Sequence, residues 1–419
     1  MTTSLPLSPK QIQSIVESER CRISIWSGAI RAGKTIASIV AFFTAVATAP
    51  KSGLILITGR TLQTIERNIV EPMQDPAVFG PLAGYVQHTR GSSTAVVLGR
   101  TVHLIGASDV RAEGKLRGLT ACLALVDEAT LLPEEFWTQL LGRLSVPGAR
   151  CLATTNPGPP AHYLKKKFID RRDTLGLGYW HFALDDNPSL DPAYVSSLKS
   201  EFSGLWYSRF IEGNWVVADG AVYEVFDPAR HVVAHDDLPN MQRVLALGID
   251  YGTTNATAGI LLGVGDDNAL YFMDEWAPTR GTDADLSLSL AEWLRDNKHE
   301  PEFVYVDPAA ASFKLQLKND RVGRTRNATN EVLDGIRLMA SVLSTGQLRV
   351  SDRCSRLLDE FPGYVWDERA TEKGEDKPRK ENDHFLDSAR YSLASTQRVW
   401  RRYVPNQTAP TEEAADAAA

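Results

Sequence analysis

Eight residues restrict the fold of this chain more than any others: Gly28-Ala29-Ile30-Arg31-Ala32-Gly33-Lys34-Thr35, set between the apolar run 22–27 and the apolar run 36–49. The glycines let backbone amides close around phosphate oxygens, and the N-terminus of a following helix adds partial positive charge. A P-loop of this kind works only where a strand runs directly into a helix. The N-terminal part is therefore expected to be α/β with a mostly parallel sheet, and runs 22–27, 53–58, 102–106, 123–126 and 149–154 read as its strands. Lys34 would reach the β and γ phosphates of a nucleotide and Thr35 would hold Mg²⁺, with Gly28 and Gly33 shaping the loop.

A P-loop needs acids opposite it. Leu123-Ala124-Leu125-Val126 ends in Asp127-Glu128, so Asp127 can orient the Mg²⁺ shell and Glu128 can polarise the attacking water. Run 149–154 leads into Thr155-Asn156-Pro157, where Thr154, Thr155 or Asn156 either senses the γ-phosphate or simply ends the strand. Gln11 offers an amide to an adenine, or else lies on the surface of an early helix. Two arginines compete to complete the site: Arg31 inside the loop, in cis, and Arg117 in Leu116-Arg117-Gly118, ahead of the acidic strand.

At 419 residues there is room for two cores. The residues after Met1 lack a basic stretch followed by an apolar one, so no signal peptide is expected, and run 36–49 is too short to span a bilayer. Cys21, Cys122, Cys151 and Cys354 are too far apart for a metal knot and read as reduced thiols. A net charge of −7 argues against a protein that coats DNA, yet leaves room for a local basic groove. Lys165-Lys166-Lys167 with Arg171-Arg172, and Lys314, Lys318, Arg321, Arg324 and Arg326, are either such grooves or solvated faces.

Region 157–227 has no clear strand repeat and reads as a lid or linker. Beyond it, 244–251, 258–263, 270–274 and 303–306 read as strands, with a hairpin turn at Gly265-Asp266-Asp267-Asn268. Helical patterns follow at 331–343 and 385–397. Asp250 and Asp307 end two of the strands and Asp387 lies at a helix start. Carboxylates converging this way suit two hard divalent ions cutting a phosphodiester, but the spacing alone does not establish the set.

Taken in order, these segments resemble the large terminase family of tailed bacteriophages, from about Gln11 to Arg402. The P-loop, Leu116-Arg117-Gly118, Val126-Asp127-Glu128-Ala129, Thr154-Thr155-Asn156-Pro157, Gly213-Asn214-Trp215, Gly248-Ile249-Asp250-Tyr251-Gly252, Val306-Asp307 and 383–391 all carry the resemblance. It implies a RecA/ASCE-like P-loop ATPase core over 1–160, a lid or linker over 161–230 and an RNase H-like nuclease with a mixed sheet over 231–405; the tail 406–419, Pro- and Ala-rich with three acids, is expected from its composition to be disordered. It also implies Asp250, Asp307 and Asp387 as ligands of a two-metal Mg²⁺ or Mn²⁺ site with His384 beside them, Asp383 being the alternative to Asp387. Arg117 would act in trans, with Arg31 a local sensor. The implied activity is ATP-driven translocation of double-stranded DNA into a procapsid, together with metal-dependent cutting of concatemeric DNA. The implied partners are the portal protein and a small terminase subunit. The chain would form a ring on the procapsid or stand as a monomer in isolation, in the host cytoplasm, away from membranes and absent from the mature virion.

Three other readings compete. Gly248–Asn255 also looks like the first phosphate loop of the actin-type ATPases, which need a second such loop that this chain lacks. A helicase needs further motifs in the second half. An ATP-gated packaging scaffold with an inactive second domain differs from the nuclease only in whether it cuts DNA.

Overall fold

A computed structural model describes residues 6–108, 110–252 and 256–404. The chain divides into two compact units, the first made of Met1–Val195, Leu205–Val217 and Thr371–Glu375, and the second of Ser196–Gly204, Ala218–Ala370 and Asp376–Ala419.

The first unit is built on eight strands: β1 Ile23–Gly28, β2 Leu54–Gly59, β3 Val86–His88, β4 Thr94–Val97, β5 Arg100–Gly106, β6 Ala121–Val126, β7 Arg150–Thr155 and β8 Leu177–Phe182. They lie in the order β3-β4-β5-β2-β6-β7-β1-β8. From β5 to β8 all neighbours are parallel, and β3 and β4 extend the sheet antiparallel. Every residue of β1 and β6 is buried, which is why both read as unbroken apolar or small-residue runs. Helix Lys34–Thr48 buries Ala37, Ile39, Phe42, Phe43 and Val46. This ordering puts β7 between β1 and β6, so the ends of all three strands lie side by side.

Most of region 161–230 groups with the first unit and the rest with the second. It also contains a strand: β8 pairs with β1 in parallel register from Ile23↔Leu177 to Gly28↔Phe182. Only the ends of β8 are fully buried. An edge strand therefore shows the mixed sequence Leu-Gly-Tyr-Trp-His-Phe rather than an aliphatic run, and its hydrophobic signal is weak. Trp180 of β8 stacks on Trp26 of β1, ring centroids 5.1 Å apart.

The second unit holds a mixed sheet: β9 Val232–Val233, β10 Met241–Asp250, β11 Ala258–Gly265, β12 Leu270–Trp276, β13 Phe303–Val306, β14 Thr325–Asn327 and β15 Leu348–Ser351. Their order is β14-β13-β10-β11-β12-β15-β9. β10, β11 and β12 form an antiparallel meander, while β13 runs parallel to β10 and β14 parallel to β13. The expected turn at 265–268 connects β11 to β12, and Asn268 takes the left-handed conformation, φ 60°, that asparagine tolerates in a tight hairpin. Arg243 grips Glu302 with two hydrogen bonds, joining the starts of β10 and β13. Among the described residues no helix is long and apolar enough to cross a membrane. The expected tail 406–419 lies outside the described residues.

Candidate active sites

Gly28 ends β1 at φ 149°, and a Cβ there would stand 1.9 Å from the Phe182 carbonyl oxygen, so only glycine fits. Gly33 is left-handed at φ 79°, and Lys34 then begins the helix. The Lys34 ammonium is buried, donating to the carbonyls of Gly28, at 3.0 Å, and Ala29, and to Oδ1 of Asn156, at 3.1 Å. Burial pulls its proton affinity down to about 7, against the opposing pull of Glu128 and Asp127. Held there, the ammonium is placed for an anion. Thr35 follows it, half-buried.

Asp127 follows β6 and is 4% exposed. Its Oδ1 accepts from the Thr154 hydroxyl at 3.1 Å and its Oδ2 from the Asn68 amide at 3.0 Å. Burial raises its proton affinity and those two donors oppose the rise. Glu128 sits at φ 51°, a left-handed conformation unusual for glutamate, and its N–H donates to Thr154 Oγ1 at 3.3 Å. Burial, then the charge of Asp127, pushes its carboxyl above the ordinary range. A carboxylate poised nearer neutrality suits proton transfer.

The remaining expected residues divide. Asn156 touches Lys34. The Thr155 hydroxyl is instead committed to Thr130 Oγ1, at 2.9 Å, and to the Asn156 carbonyl, at 3.0 Å. Gln11 is not a surface residue: it is 2% exposed, its amide donates to the Gly33 carbonyl at 3.1 Å, and its oxygen accepts from Ser8 N–H at 2.7 Å. Arg31 is left-handed, φ 56°, with an exposed side chain, and its carbonyl accepts from Asn187. Arg117 is 70% exposed and pairs with Glu113 at 2.5 Å. Sequence reasoning missed Asn68, whose helix carries no motif. It also left Gly213-Asn214-Trp215 without a role. A Cβ on Gly213 would lie 2.8 Å from the Ala29 nitrogen, and Trp215 donates to Ser27 at 3.2 Å, so this segment buttresses the loop from behind.

In the second unit Asp250 ends β10 and Asp307 follows β13, its parallel neighbour; the Asp307 N–H donates to the Ile249 carbonyl at 3.1 Å. Helix His384–Ser395 lies directly on β10. A Cβ at Gly248 would stand 2.1 Å from the Ser388 carbonyl oxygen, so glycine on the strand and serine on the helix permit the approach. Ser388 Oγ accepts from Asp250 N–H at 3.0 Å, and His384 Nδ1 meets Asp250 Oδ2 at 2.9 Å. Asp387, 6% exposed, takes Lys380 at 3.0 Å and the buried Arg390.

Burial, with Asp387 and Asp307 adding charge, raises the Asp250 carboxyl, while His384 opposes the rise. Burial and the same three aspartates raise the Tyr391 phenol. Asp387 adds to the rise of the Asp250 carboxyl, while Asp383 helps to raise the His384 imidazole and the Lys380 ammonium. The Lys380 ammonium bridges both, 3.2 Å from Asp383. Glu360 was not foreseen: burial lifts its carboxyl to about 7, and it accepts the Leu386 N–H at 2.8 Å.

Among the described residues no three His, Cys, Asp or Glu side chains are drawn within coordinating reach of one point. The donor set nevertheless has the chemistry for hard divalent ions, being carboxylate oxygens beside one imidazole. Four carboxylates, Asp250, Asp307, Asp383 and Asp387, lie on the elements that meet here, with Lys380 set between the last two.

No family profile matches the chain. Among curated proteins it is similar to the terminase large subunit of Escherichia phage T5, 25% identical over 292 residues; the match spans 65% of this chain and 65% of that relative. Among solved structures it is similar to the large terminase of a thermophilic bacteriophage, with 32% identity, a TM-score of 0.82, and coverage of 94% of this chain and 99% of that one. The same thermophilic phage protein solved with ADP gives 32% identity and a TM-score of 0.83 over 93% of this chain and 100% of that one. Solved with ATP-γ-S it gives 31% and 0.82 over 94% and 100%.

Proposed function

Since this chain belongs to the large terminase family of bacteriophages, we propose that it hydrolyses ATP to drive double-stranded DNA through a portal into a procapsid, and cuts that DNA in its second unit. The observation that carries this reading is that each unit sets polar and charged side chains at the ends of parallel strands and on the helix beside them: Asp127, Glu128 and Asn156 with Lys34 in one, Asp250 and Asp307 with Asp387 in the other.

In the first unit, a RecA/ASCE-like core on this reading, Lys34 meets the β and γ phosphates and the helix N-terminus adds its dipole. Thr35 and Asp127 would hold Mg²⁺, which offsets phosphate charge when bound. Glu128 takes the proton of the attacking water. Arg117, exposed and paired with Glu113, reaches the nucleotide of a neighbouring subunit in a ring, and Arg31 acts locally. In the second unit, RNase H-like on this reading, Asp250, Asp307 and Asp387 would hold Mg²⁺ or Mn²⁺, which supplies an activated water and stabilises the leaving oxygen. His384 orients Asp250, and Lys380 pairs with Asp387. The small terminase subunit and the portal are the assembly partners.

One observation favours a second reading, a packaging scaffold with an inactive second unit: Asp387 is already paired with Lys380 and Arg390, and Asp383 with Lys380. The same experiment decides between the two. Purified protein with Mn²⁺ is expected to cut plasmid DNA; Asp250→Ala abolishes the cutting and retains ATP turnover, while Lys34→Ala loses ATP binding and turnover. Wild-type protein that hydrolyses ATP and never cuts DNA would leave the scaffold standing.

A further inference from the structure

Segment 312–327 carries Lys314, Lys318, Arg321, Arg324 and Arg326 against a single carboxylate, Asp320, in a chain whose net charge is −7. The structure gathers these cations at one edge of the second unit. Helix Ala311–Asn319 and strand β14 enclose a depression of about 470 Å³ lined by Lys314, Leu315, Lys318, Thr325, Arg326 and Asn327 among others. β14 is the last strand of its sheet, so its outer side is unpaired. Between helix and strand the chain turns tightly. Arg321 is left-handed at φ 57°, and a Cβ on Gly323 would stand 2.6 Å from Val304 Cγ2, so the turn keeps its arginines outside.

None of the charges is neutralised locally. Asp320 accepts from Ser287 and Gln316 instead. Lys318, Arg321, Arg324 and Arg326 are exposed, and no carboxylate pairs with them among the described residues. Arg326 lies over the Phe303 ring at 4.1 Å, which orients its guanidinium without consuming its charge. Lys314 donates to the Pro308 carbonyl and to Asn327 Oδ1, both at 2.7 Å, and not to Asp307 one residue away. A solvated face has no need to collect like charges around a depression. An anion site does.

Register supplies the direction. Asn327 pairs with Val306, the residue before Asp307, and Arg326 with Tyr305. A polyanion whose phosphodiester reaches Asp250 and Asp307 therefore crosses Lys314 and Arg326, with Lys318 alongside. We propose that this depression binds the sugar-phosphate backbone of the DNA next to the scissile bond, through Lys314, Lys318 and Arg326, and without reading bases. The inference rests on the nuclease reading above, and it favours nucleic acid over an acidic protein because the cations adjoin the carboxylates that would cut it.

The test measures binding of the full-length chain to a DNA duplex in EDTA, across a salt series, for wild type, Lys318→Gln, Arg326→Gln and the double variant. Loss of two phosphate contacts should lower the salt slope by about 1.8 and the affinity roughly tenfold at low salt. Melting temperatures serve as the folding control; Arg326→Gln gives up its ring contact, whereas Lys318→Gln removes an exposed side chain and keeps the test sound. A double variant that binds DNA with wild-type affinity and slope overturns the proposal. So does a loss that duplex and an acidic polypeptide probe share equally. Cleavage with Mn²⁺ is measured in parallel. Wild type that binds but never cuts sinks the nuclease reading alone, whereas wild type that cuts beside a double variant that still binds normally sinks this inference alone.

Discussion

Asp127 owes its position to two neighbours from elsewhere in the chain, Thr154 and Asn68, the latter 59 residues away in sequence. A buried carboxylate oxygen without its donor costs about 1–3 kcal/mol and is free to turn. Asn68→Ala is therefore expected to lower ATP turnover about tenfold, one hydrogen bond's worth of positioning, while nucleotide affinity changes little. Phosphate release and nucleotide titration measure the two separately, and an unchanged turnover would remove Asn68 from the site. The contrast with Glu128 is instructive. Its place at the end of an apolar strand makes it legible in the sequence, because strand and acid are contiguous. Asn68 lies in an unremarkable helix, and only the packing of that helix against the sheet brings it to Asp127.

At the scale of elements, the contact between helix His384–Ser395 and β10 determines whether the second constellation exists. Gly248→Ala would drive a methyl into the Ser388 carbonyl at 2.1 Å, and the helix would have to withdraw. Overpacking of this kind costs about 1–3 kcal/mol. The denaturation midpoint should fall accordingly, and DNA cutting should fall further, since Asp387 and His384 ride on the helix that moves. Normal cutting in a destabilised variant would detach the helix position from the chemistry.

A second element contact is pH-sensitive. Glu66 accepts from His88 at 2.8 Å and from the Gly91 N–H at 2.6 Å, tying its helix to the β3–β4 hairpin. These bonds hold its carboxyl below the ordinary 4.5. As pH falls, the unfolded chain binds the proton first, so the stabilisation is complete above 4.5 and is lost through the lower folded-state value. Glu66→Gln should be less stable than wild type at neutral pH, with the gap closing below 4.5. Equal stability at every pH would mean that the pair contributes nothing.

At the scale of the whole molecule, the proposed ring makes the arginine question one of which subunit supplies it. An arginine reaching the γ-phosphoryl oxygens is worth roughly 10³–10⁵ in rate. Arg117 is 70% exposed and pairs with the less exposed Glu113, an ion pair at the surface that is worth little by itself. Arg117→Ala should bind ATP normally yet lose the stimulation that comes with assembly. Mixing it with Lys34→Ala should restore part of the turnover, since each variant keeps what the other lacks. Full stimulated turnover in Arg117→Ala alone would transfer the role to Arg31.

The sequence by itself determined the conformation of loop 28–35 and the place of the acids Asp127-Glu128 at the end of β6. Both are contiguous, and their conformations follow from short-range sterics: Gly28 and Gly33 where no side chain fits, Lys34 at a helix start, Asp127-Glu128 where an apolar run stops. It also determined most strands of both sheets, because buried strands read as runs of mostly apolar and small residues. Tertiary structure alone decided the rest. β8 joined the first sheet as an edge strand, too mixed in composition to announce itself. Thr155 turned to Thr130, and Gln11 packed against the loop. His384 reached Asp250 across 134 residues. That meeting depends on which strands neighbour β10 and on how closely a helix can approach Gly248. Both follow from the packing of distant segments, which no local pattern records.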